Sequence, residues 1–344
     1  MRLVILGGGF CGAMIAKHLD SIKNLEITLI DKKPYFEYSP SLPKVLFNPS
    51  HHQRIIVPFS RFLKHTRIVT DPVLNVAPEY VKTEKETISF NMLVISTGID
   101  YPIFLKNKEH VFTIKSGTEV AAMSEKVAHA KHILIIGGGV IGTEIAGEFA
   151  TRTKDKHVVL VHPHDRLLER NTKHVSLYAK RFLEERGIEL IFGEKVVDHR
   201  KNIFVTDKKR KIEADIGIWC AGVSCNPWFL TGFSENIVTE RKALRVNQHL
   251  QLNGYPQIFV GGDINDVIEE KTAHSADKQA RIIIENILRL IKKKPLIRYM
   301  PHKSLMAISL GNWDGILLYP PFVLPGFIPG IAKQLVEKIG VRRF

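Results

Sequence analysis

Leu3-Val4-Ile5-Leu6-Gly7-Gly8-Gly9-Phe10-Cys11-Gly12 decides the reading of this chain. Four apolar residues halted at once by glycine read as a short buried parallel strand. Gly7, Gly9 and Gly12 then fall at the G-x-G-x-x-G spacing, and Ala13, Met14, Ala16 and Leu19 continue at helical intervals. Such glycines make the tight turn, let the backbone approach a pyrophosphate, and pack helix on strand. The helix N-terminus adds unpaired N–H groups and the positive end of its dipole. A second apolar run, Ile27 to Ile30, ends in Asp31, nineteen residues past Gly12. A carboxylate placed there accepts hydrogen bonds from a ribose diol. A lone glycine triplet often marks only a turn. Strand, triplet, helix, strand and terminal acid in this order predict a dinucleotide site that includes Gly7, Gly9, Phe10, Cys11, Gly12, Asp31 and Lys32.

At 344 residues the chain has length for two or three domains with real cores, and its ordinary hydrophobic content excludes a disordered protein. No segment approaches the run of about 18 apolar residues that spans a bilayer. The first strand begins at Leu3, which leaves no room for a signal or transit peptide. Cys11, Cys220 and Cys225 form no disulfide framework and point to a reducing compartment, so a cytoplasmic location is expected. The net charge of +14 suits nucleic acid, anionic lipid or an anionic cofactor, and composition alone does not choose among them. No metal cluster is expected.

After Asp31, the run from Lys32 to Pro43 is punctuated by prolines and reads as a loop too irregular for a regular element. Strand-like pieces follow at Ile55 to Val57 and Ile68 to Thr70. Met92 to Ile95 then leads into Ser96-Thr97-Gly98, a buried strand ending in small residues where backbone can pass close to a ligand. Tyr101 to Ala130 reads as a crossover carrying one amphipathic helix near Glu119 to His129.

The opening pattern then returns 130 residues on. Ile133 to Ile136 runs into Gly137-Gly138-Gly139-Val140-Ile141-Gly142, and the helix after it carries Glu144 and Glu148. Two complete units argue for two dinucleotides. Val158 to Val161 ends at His162, not at an acid, with Pro163, His164, Asp165 and Arg166 behind it. Loss of the acid removes a repulsion against a 2′-phosphate; the alternative is a solvated basic loop, so NADH against NADPH stays open on these residues. Glu144 reads either as a solvated helix residue or as a group turned toward the nucleotide.

Ile216 to Trp219, ending in Cys220-Ala221-Gly222, echoes the Ser96-Thr97-Gly98 strand end. Cys220 and Cys225, separated by four residues and ahead of Pro227-Trp228, are read as structural rather than redox-active. Ile258 to Val260 ends in Gly261-Gly262-Asp263, and Lys271 to Leu290 follows as a helix that Lys292-Lys293-Lys294-Pro295 stops. The tail differs in character. Its apolar run from Ile316 to Ile331 is broken by prolines and glycines, and the part from Phe322 to Ile331, with Pro325, Gly326 and Pro329, suits neither a regular strand nor a stable core helix; a short helix to Arg343 closes it. From Lys292 onward there are nine Lys/Arg against two Asp/Glu.

These residues together resemble the two-dinucleotide flavoproteins of the pyridine nucleotide-disulfide oxidoreductase superfamily. The marks are the paired glycine units, the Ser96-Thr97-Gly98 end and the Gly262-Asp263 end. The run Phe36 to Pro43 is similar to the loop of type II NADH:quinone dehydrogenases. Ala243 to Gln251, Gly262-Asp263 and Gly311-Asn312-Trp313-Asp314-Gly315 resemble more closely the ferroptosis-suppressor branch, the apoptosis-inducing-factor-like mitochondrion-associated quinone reductases. The resemblance spans about the first 320 residues. It implies an α/β fold with two Rossmann-like domains, the NAD(P)H domain (106–239) inserted into an FAD domain (1–105 and 240–295), plus a C-terminal segment (296–344). The chain departs from the family in a short C-terminus and in its Met-Arg start, which carries no myristoylation signal. Its cysteines also miss the catalytic positions of the sulfide:quinone relatives.

The implied cofactors are FAD, with NADH or NADPH as hydride donor. The implied cofactor contacts are the first unit, Pro43, Thr97, Gly98, Gly262, Asp263, Thr272 and Ala273 for FAD, and Gly137, Gly139, Val140, Ile141, Gly142, Glu144, His162, Ala221 and Gly222 for the nicotinamide nucleotide. Glu144 and Thr272 are the catalytic candidates: Glu144 orients the nicotinamide, and the helix starting near Thr272 turns its positive dipole end to the flavin pyrimidine. With no cysteine pair, electrons leave the flavin directly, and a quinone is the natural acceptor. A reductase of a small acidic redox protein of the rubredoxin or ferredoxin type is the runner-up. A redox-dependent nucleic-acid binder ranks below both, because the basic residues are scattered rather than interleaved with aromatics. A homodimer is left open. The tail is expected either to make a peripheral contact on the cytoplasmic membrane face or to complete the core.

Overall fold

Arg2–Leu6, the strand before the first glycine turn, lies inside a six-stranded sheet in a computed structural model that describes residues 1–301, 305–319 and 322–344. The sheet order is Gln251–Leu252, Tyr255–Val260, Met92–Ile95, Arg2–Leu6, Glu26–Asp31 and Arg67–Thr70. All neighbours are parallel except the Gln251–Leu252 edge, with Leu3 opposite both Ile27 and Met92. Parallel strands covered on both faces must be apolar throughout, which is why Leu3, Val4, Ile5 and Leu6 are all buried. The helices Phe10–Leu19 and Ala273–Ile291 pack together beside this sheet, and Ala13, Ile15, Ala16, Ala280, Ile283 and Ile287 share its core.

A second sheet, five-stranded and wholly parallel, runs Val111–Thr113, Ile216–Trp219, His132–Ile136, His157–His162, Glu189–Phe192. Every one of its strands lies in sequence between Met92–Ile95 and Gln251–Leu252 of the first sheet. The chain leaves one doubly wound sheet, builds another, and returns. The helix expected near Glu119 occupies Gly117–His129. Its first N–H, that of Gly117, donates to Glu37 Oε1 at 3.1 Å, and His52 Nε2 lies 2.8 Å from the same oxygen. This buried carboxylate therefore ties the segment after the first unit to the helix that precedes the second.

Two expectations fail. The Lys32–Pro43 run is not an irregular loop. Tyr35–Glu37 pairs antiparallel with Ile56–Pro58, Ser39–Ser41 forms a 3₁₀ turn, and Leu42–Val45 is a short helix. Pro40 and Pro43 fall in the first turns of those helices, where a missing N–H has no intrahelical partner to lose. The tail is not irregular either. Phe322–Gly326 is the edge strand of a three-stranded antiparallel sheet with Met306–Leu310 and Asp314–Tyr319, and Phe327–Arg342 is a helix of 16 residues. Pro325 sits on that edge strand opposite Ile316, and Pro329 lies in the first helical turn, two places that tolerate proline. Gly330 lets the helix approach the backbone at Trp313, which a Cβ would meet at 2.5 Å. Pro320 and Pro321 lie outside the described residues.

Candidate functional site

The two glycine turns are near copies. Gly7 and Gly137 take φ of +91° and +110°, a region that glycine enters without strain. A Cβ on Gly12 would come 1.9 Å from Gly7 O, and one on Gly142 would come 1.8 Å from Gly137 O. Gly9 and Gly139 behave differently: a Cβ on either meets nothing within 4 Å. Each caps its helix, the first intrahelical bonds being Ala13 N to Gly9 O and Thr143 N to Gly139 O, both 2.9 Å. The N–H groups of residues 10–12 and 140–142 thus have no intrahelical acceptor and border open space. That is a cradle for an anion.

At the ends of the second strands the copies diverge. Asp31 accepts from Gly8 N at 2.6 Å and from Lys33 N at 2.8 Å. In the second unit Gly138 N donates to His162 Nδ1 at 3.0 Å, and His162 Nε2 lies 3.1 Å from Glu169 Oε2. His162 is buried, which corrects the solvated-loop reading of this position. Burial lowers its imidazole pKa against the pull of Glu169. Arg166 donates to the carbonyls of Glu169 and Asn171, while His164 and Asp165 remain exposed.

The small-residue strand ends line up beside the turns. Ser96 Oγ donates to Leu6 O at 2.8 Å and Gly7 O at 3.0 Å, so the first turn is bolted to the end of the neighbouring strand. Thr97 follows, and Gly98, with φ +72°, opens onto free space. Gly137 packs in the same way on the Cys220–Ala221 peptide, with Gly222 beyond it near the Phe104 ring. Gly262 N is held by Gln279 Oε1 at 2.8 Å. Asp263 is half-buried; desolvation raises its carboxyl pKa and Lys271 opposes the rise. Burial, with Asp263 nearby, pushes the Tyr101 phenol up to about 12. Thr272 caps the helix Ala273–Ile291, its hydroxyl accepting from Ser275 N at 3.1 Å. Cys11 packs under Gly261, and all three cysteines are free.

Glu144 is not solvated. It is 4% exposed, and its Oε1 accepts from Ser309 N at 3.0 Å and from Lys333 Nζ. Glu148 is fully buried against Arg152, which also reaches Asn312. The tail helix therefore closes on the second unit through Lys333. One turn on, Glu337 Oε2 accepts from Ser41 Oγ and Lys44 Nζ, each at 2.6 Å, on either side of the buried Pro43. Gly340 lies on the Tyr38 ring, Arg343 Nη2 is 2.6 Å from Asp277 Oδ1, and the Phe344 ring is 4.2 Å from Phe36. Sequence reasoning missed Ser309, Lys333, Glu337 and Arg343. The one available signal was the polar pair Lys333 and Glu337, four residues apart in an apolar tail. No hydrogen bond or ion pair among the described residues joins Thr272 to Glu144.

Comparison with known proteins agrees with this geometry. Residues 1–280 match a family model described as pyridine nucleotide-disulphide oxidoreductase. The chain is 30% identical over 349 residues to apoptosis-inducing factor homolog A of Dictyostelium discoideum, covering 92% of this chain and 84% of that protein. It is 27% identical over 328 residues to human ferroptosis suppressor protein 1, covering 92% and 88%. Among solved structures, the NDH2 of Plasmodium falciparum in complex with NADH superposes with a TM-score of 0.87 at 15% identity, covering 99% of this chain and 96% of that one. The sulfide:quinone oxidoreductase of Aquifex aeolicus gives 0.85 at 19% identity, covering 99% and 91%. These two likenesses establish the fold.

Proposed function

Because the chain belongs to the pyridine nucleotide-disulphide oxidoreductase family, we propose that it is an NAD(P)H:quinone oxidoreductase that carries FAD on its first glycine unit. The observation that carries this reading is the pair of open cradles at Gly9 and Gly139, each walled by glycines that no side chain could replace. FAD would be held by the N–H groups of Phe10, Cys11 and Gly12, by Asp31 and Lys32, and by Pro43, Thr97, Gly98, Gly262, Asp263, Thr272 and Ala273. NADH or NADPH would take the second unit, from Gly137, Gly139, Val140, Ile141 and Gly142 to Glu144, His162, Ala221 and Gly222. This assigns 1–105 and 240–295 to the FAD domain, 106–239 to the NAD(P)H domain and 296–344 to the acceptor segment. Bound flavin supplies the capacity to take two electrons as hydride and release them to an acceptor.

The chain's own residues position and exclude. The capped N-terminus of Ala273–Ile291 would offer N–H groups and a positive dipole end to negative charge on a bound flavin. Glu144 and Lys333 form an ion pair beside the second unit, covered by Ser309 and the tail helix. Burial raises the pKa of all three cysteine thiols and disfavours their thiolates, which favours direct exit of electrons to a small acceptor. The tail favours a quinone drawn from a bilayer. Trp313, Phe322, Phe327, Ile328, Leu335 and Ile339 are all exposed, with Lys338 and Arg342 on the same helix. No helix among the described residues is long and apolar enough to cross a membrane. The contact proposed is therefore interfacial.

The test is spectroscopic. Purified protein should show a bound-flavin spectrum that NADH or NADPH bleaches without oxygen and a short-chain quinone restores. Protein that stays colourless after incubation with FAD, or reduced protein that no quinone reoxidises, overturns the reading. Reoxidation by rubredoxin or ferredoxin alone would favour the runner-up.

A further inference from the structure

The second unit lacks the acid that the first unit carries at the end of its second strand, yet the structure returns a carboxylate to that neighbourhood. Gly138 donates its N–H to His162 Nδ1 at 3.0 Å, just as Gly8 donates to Asp31. An acceptor Nδ1 carries no proton, so the neutral ring has its proton on Nε2. That proton faces Glu169 Oε2 at 3.1 Å. The ring is wedged in place, because a Cβ on Gly138 would meet His162 Cγ at 3.0 Å and Leu167 at 2.6 Å. His162 thus acts as a buried spacer with an anionic group at its far end.

Among the described residues the Glu169 carboxylate pairs with His162 and with no lysine or arginine. Arg166 donates from Nη2 to the carbonyls of Glu169 and Asn171, at 2.8 and 3.3 Å, with its buried Nε unpartnered, and this curls the loop so that the Glu169 side chain returns to His162. Arg170 lies 3.9 Å from Glu270. Asp165, exposed on the same loop, adds a second negative charge. The Glu169 side chain is 28% exposed, enough for its carboxylate to face a ligand lying along the end of the second strand.

We propose that Glu169, held through His162, is the residue that makes the second unit select a dinucleotide with a free ribose 2′-hydroxyl and reject one bearing a 2′-phosphate. The inference rests on the reading of the second unit as the NAD(P)H site. A 2′-phosphate brought toward Glu169 meets a carboxylate that no lysine or arginine pairs, whereas a hydroxyl donates to it.

Equilibrium titration of the flavin-loaded protein with ADP-ribose and with 2′-phospho-ADP-ribose separates the possibilities, since neither probe can reduce the flavin. The wild type should bind ADP-ribose at least about tenfold more tightly than the phosphorylated probe. Glu169→Gln keeps an acceptor for His162 Nε2–H. It should bring the two affinities to within about threefold, mainly through a gain for the phosphorylated probe. Glu169→Arg should invert the order, and retained flavin in both variants reports an intact fold. Equal or tighter binding of the phosphorylated probe by the wild type overturns the proposal, as does a ratio that Glu169→Gln leaves unchanged. Binding of neither probe by flavin-loaded wild type overturns the second-unit reading as well, which marks that failure apart from the first two.

Discussion

Glu337 on the tail helix meets Lys44 at 2.6 Å across 293 residues of chain, and His51 Nε2 lies 3.0 Å from its other oxygen. Burial opposes ionisation of this carboxyl, but His51, Lys44 and Ser41 outweigh burial and hold its pKa down to about 2 from 4.5. A depressed carboxyl stabilises the fold above its unfolded value, so the contribution is whole above pH 4.5 and is lost as pH falls toward about 2. Glu337→Ala leaves the largely buried Lys44 ammonium without its carboxylate and should cost about 3 kcal/mol. Urea unfolding at pH 7 and pH 3 checks both statements: the gap between wild type and variant should shrink at the lower pH.

The two glycine turns should separate the two cofactors. Gly9→Val fills open space rather than colliding with the fold. It should therefore give folded protein without FAD, and a fully loaded yellow variant would sink the first-unit assignment. Gly139→Val should keep FAD and lose bleaching by NAD(P)H. By contrast Gly12→Ala collides with Gly7 O at 1.9 Å and should lower stability itself. Flavin absorbance and thermal melting distinguish the three.

Lys333 is the cation of the buried Glu144 site. Lys333→Met removes it and leaves the Glu144 carboxylate with Ser309 N alone. Quinone turnover should fall by about tenfold or more while flavin content stays constant. Lys333→Arg should restore part of the rate because it keeps the charge. Unchanged turnover in Lys333→Met would remove this pair from the reaction.

The glycine units were legible because backbone geometry restricts Gly7, Gly12, Gly137 and Gly142 so tightly that spacing alone exposes them. The tail was not. Pro325, Gly326, Pro329 and Gly330 read as breakers, yet they fall on an edge strand, at its end, in a first helical turn and at a close helix contact. Local sequence does not carry that placement. The burial of Glu144 was equally hidden, since Ser309 and Lys333 lie 165 and 189 residues away. His162 read as a substitute for an acid, whereas its partner Glu169 needed the loop's path, set by Arg166.

The tail helix turns two unlike faces outward and inward. Gly330, Lys333, Glu337 and Gly340 hold it to the protein, while Ile328, Leu335 and Ile339 are 67%, 57% and 60% exposed. Trp313 and Phe327 stack with ring centroids 6.0 Å apart at the start of the exposed face, and Phe322 is 71% exposed on the strand before it. An apolar face of this kind lies in a bilayer interface when cations flank it, and the exposed Lys338 and Arg342 on the same helix supply them. The combined substitution Ile328→Ser, Leu335→Ser and Ile339→Ser spares every anchor on the inward face, so flavin content and soluble-quinone turnover should hold. Co-sedimentation with liposomes containing anionic lipid should drop about tenfold or more, each lost large side chain contributing roughly 1–2 kcal/mol at the interface. Binding that is the same for wild type and variant, or absent in both, removes the membrane role and leaves the tail as a strap that closes the Glu144 site.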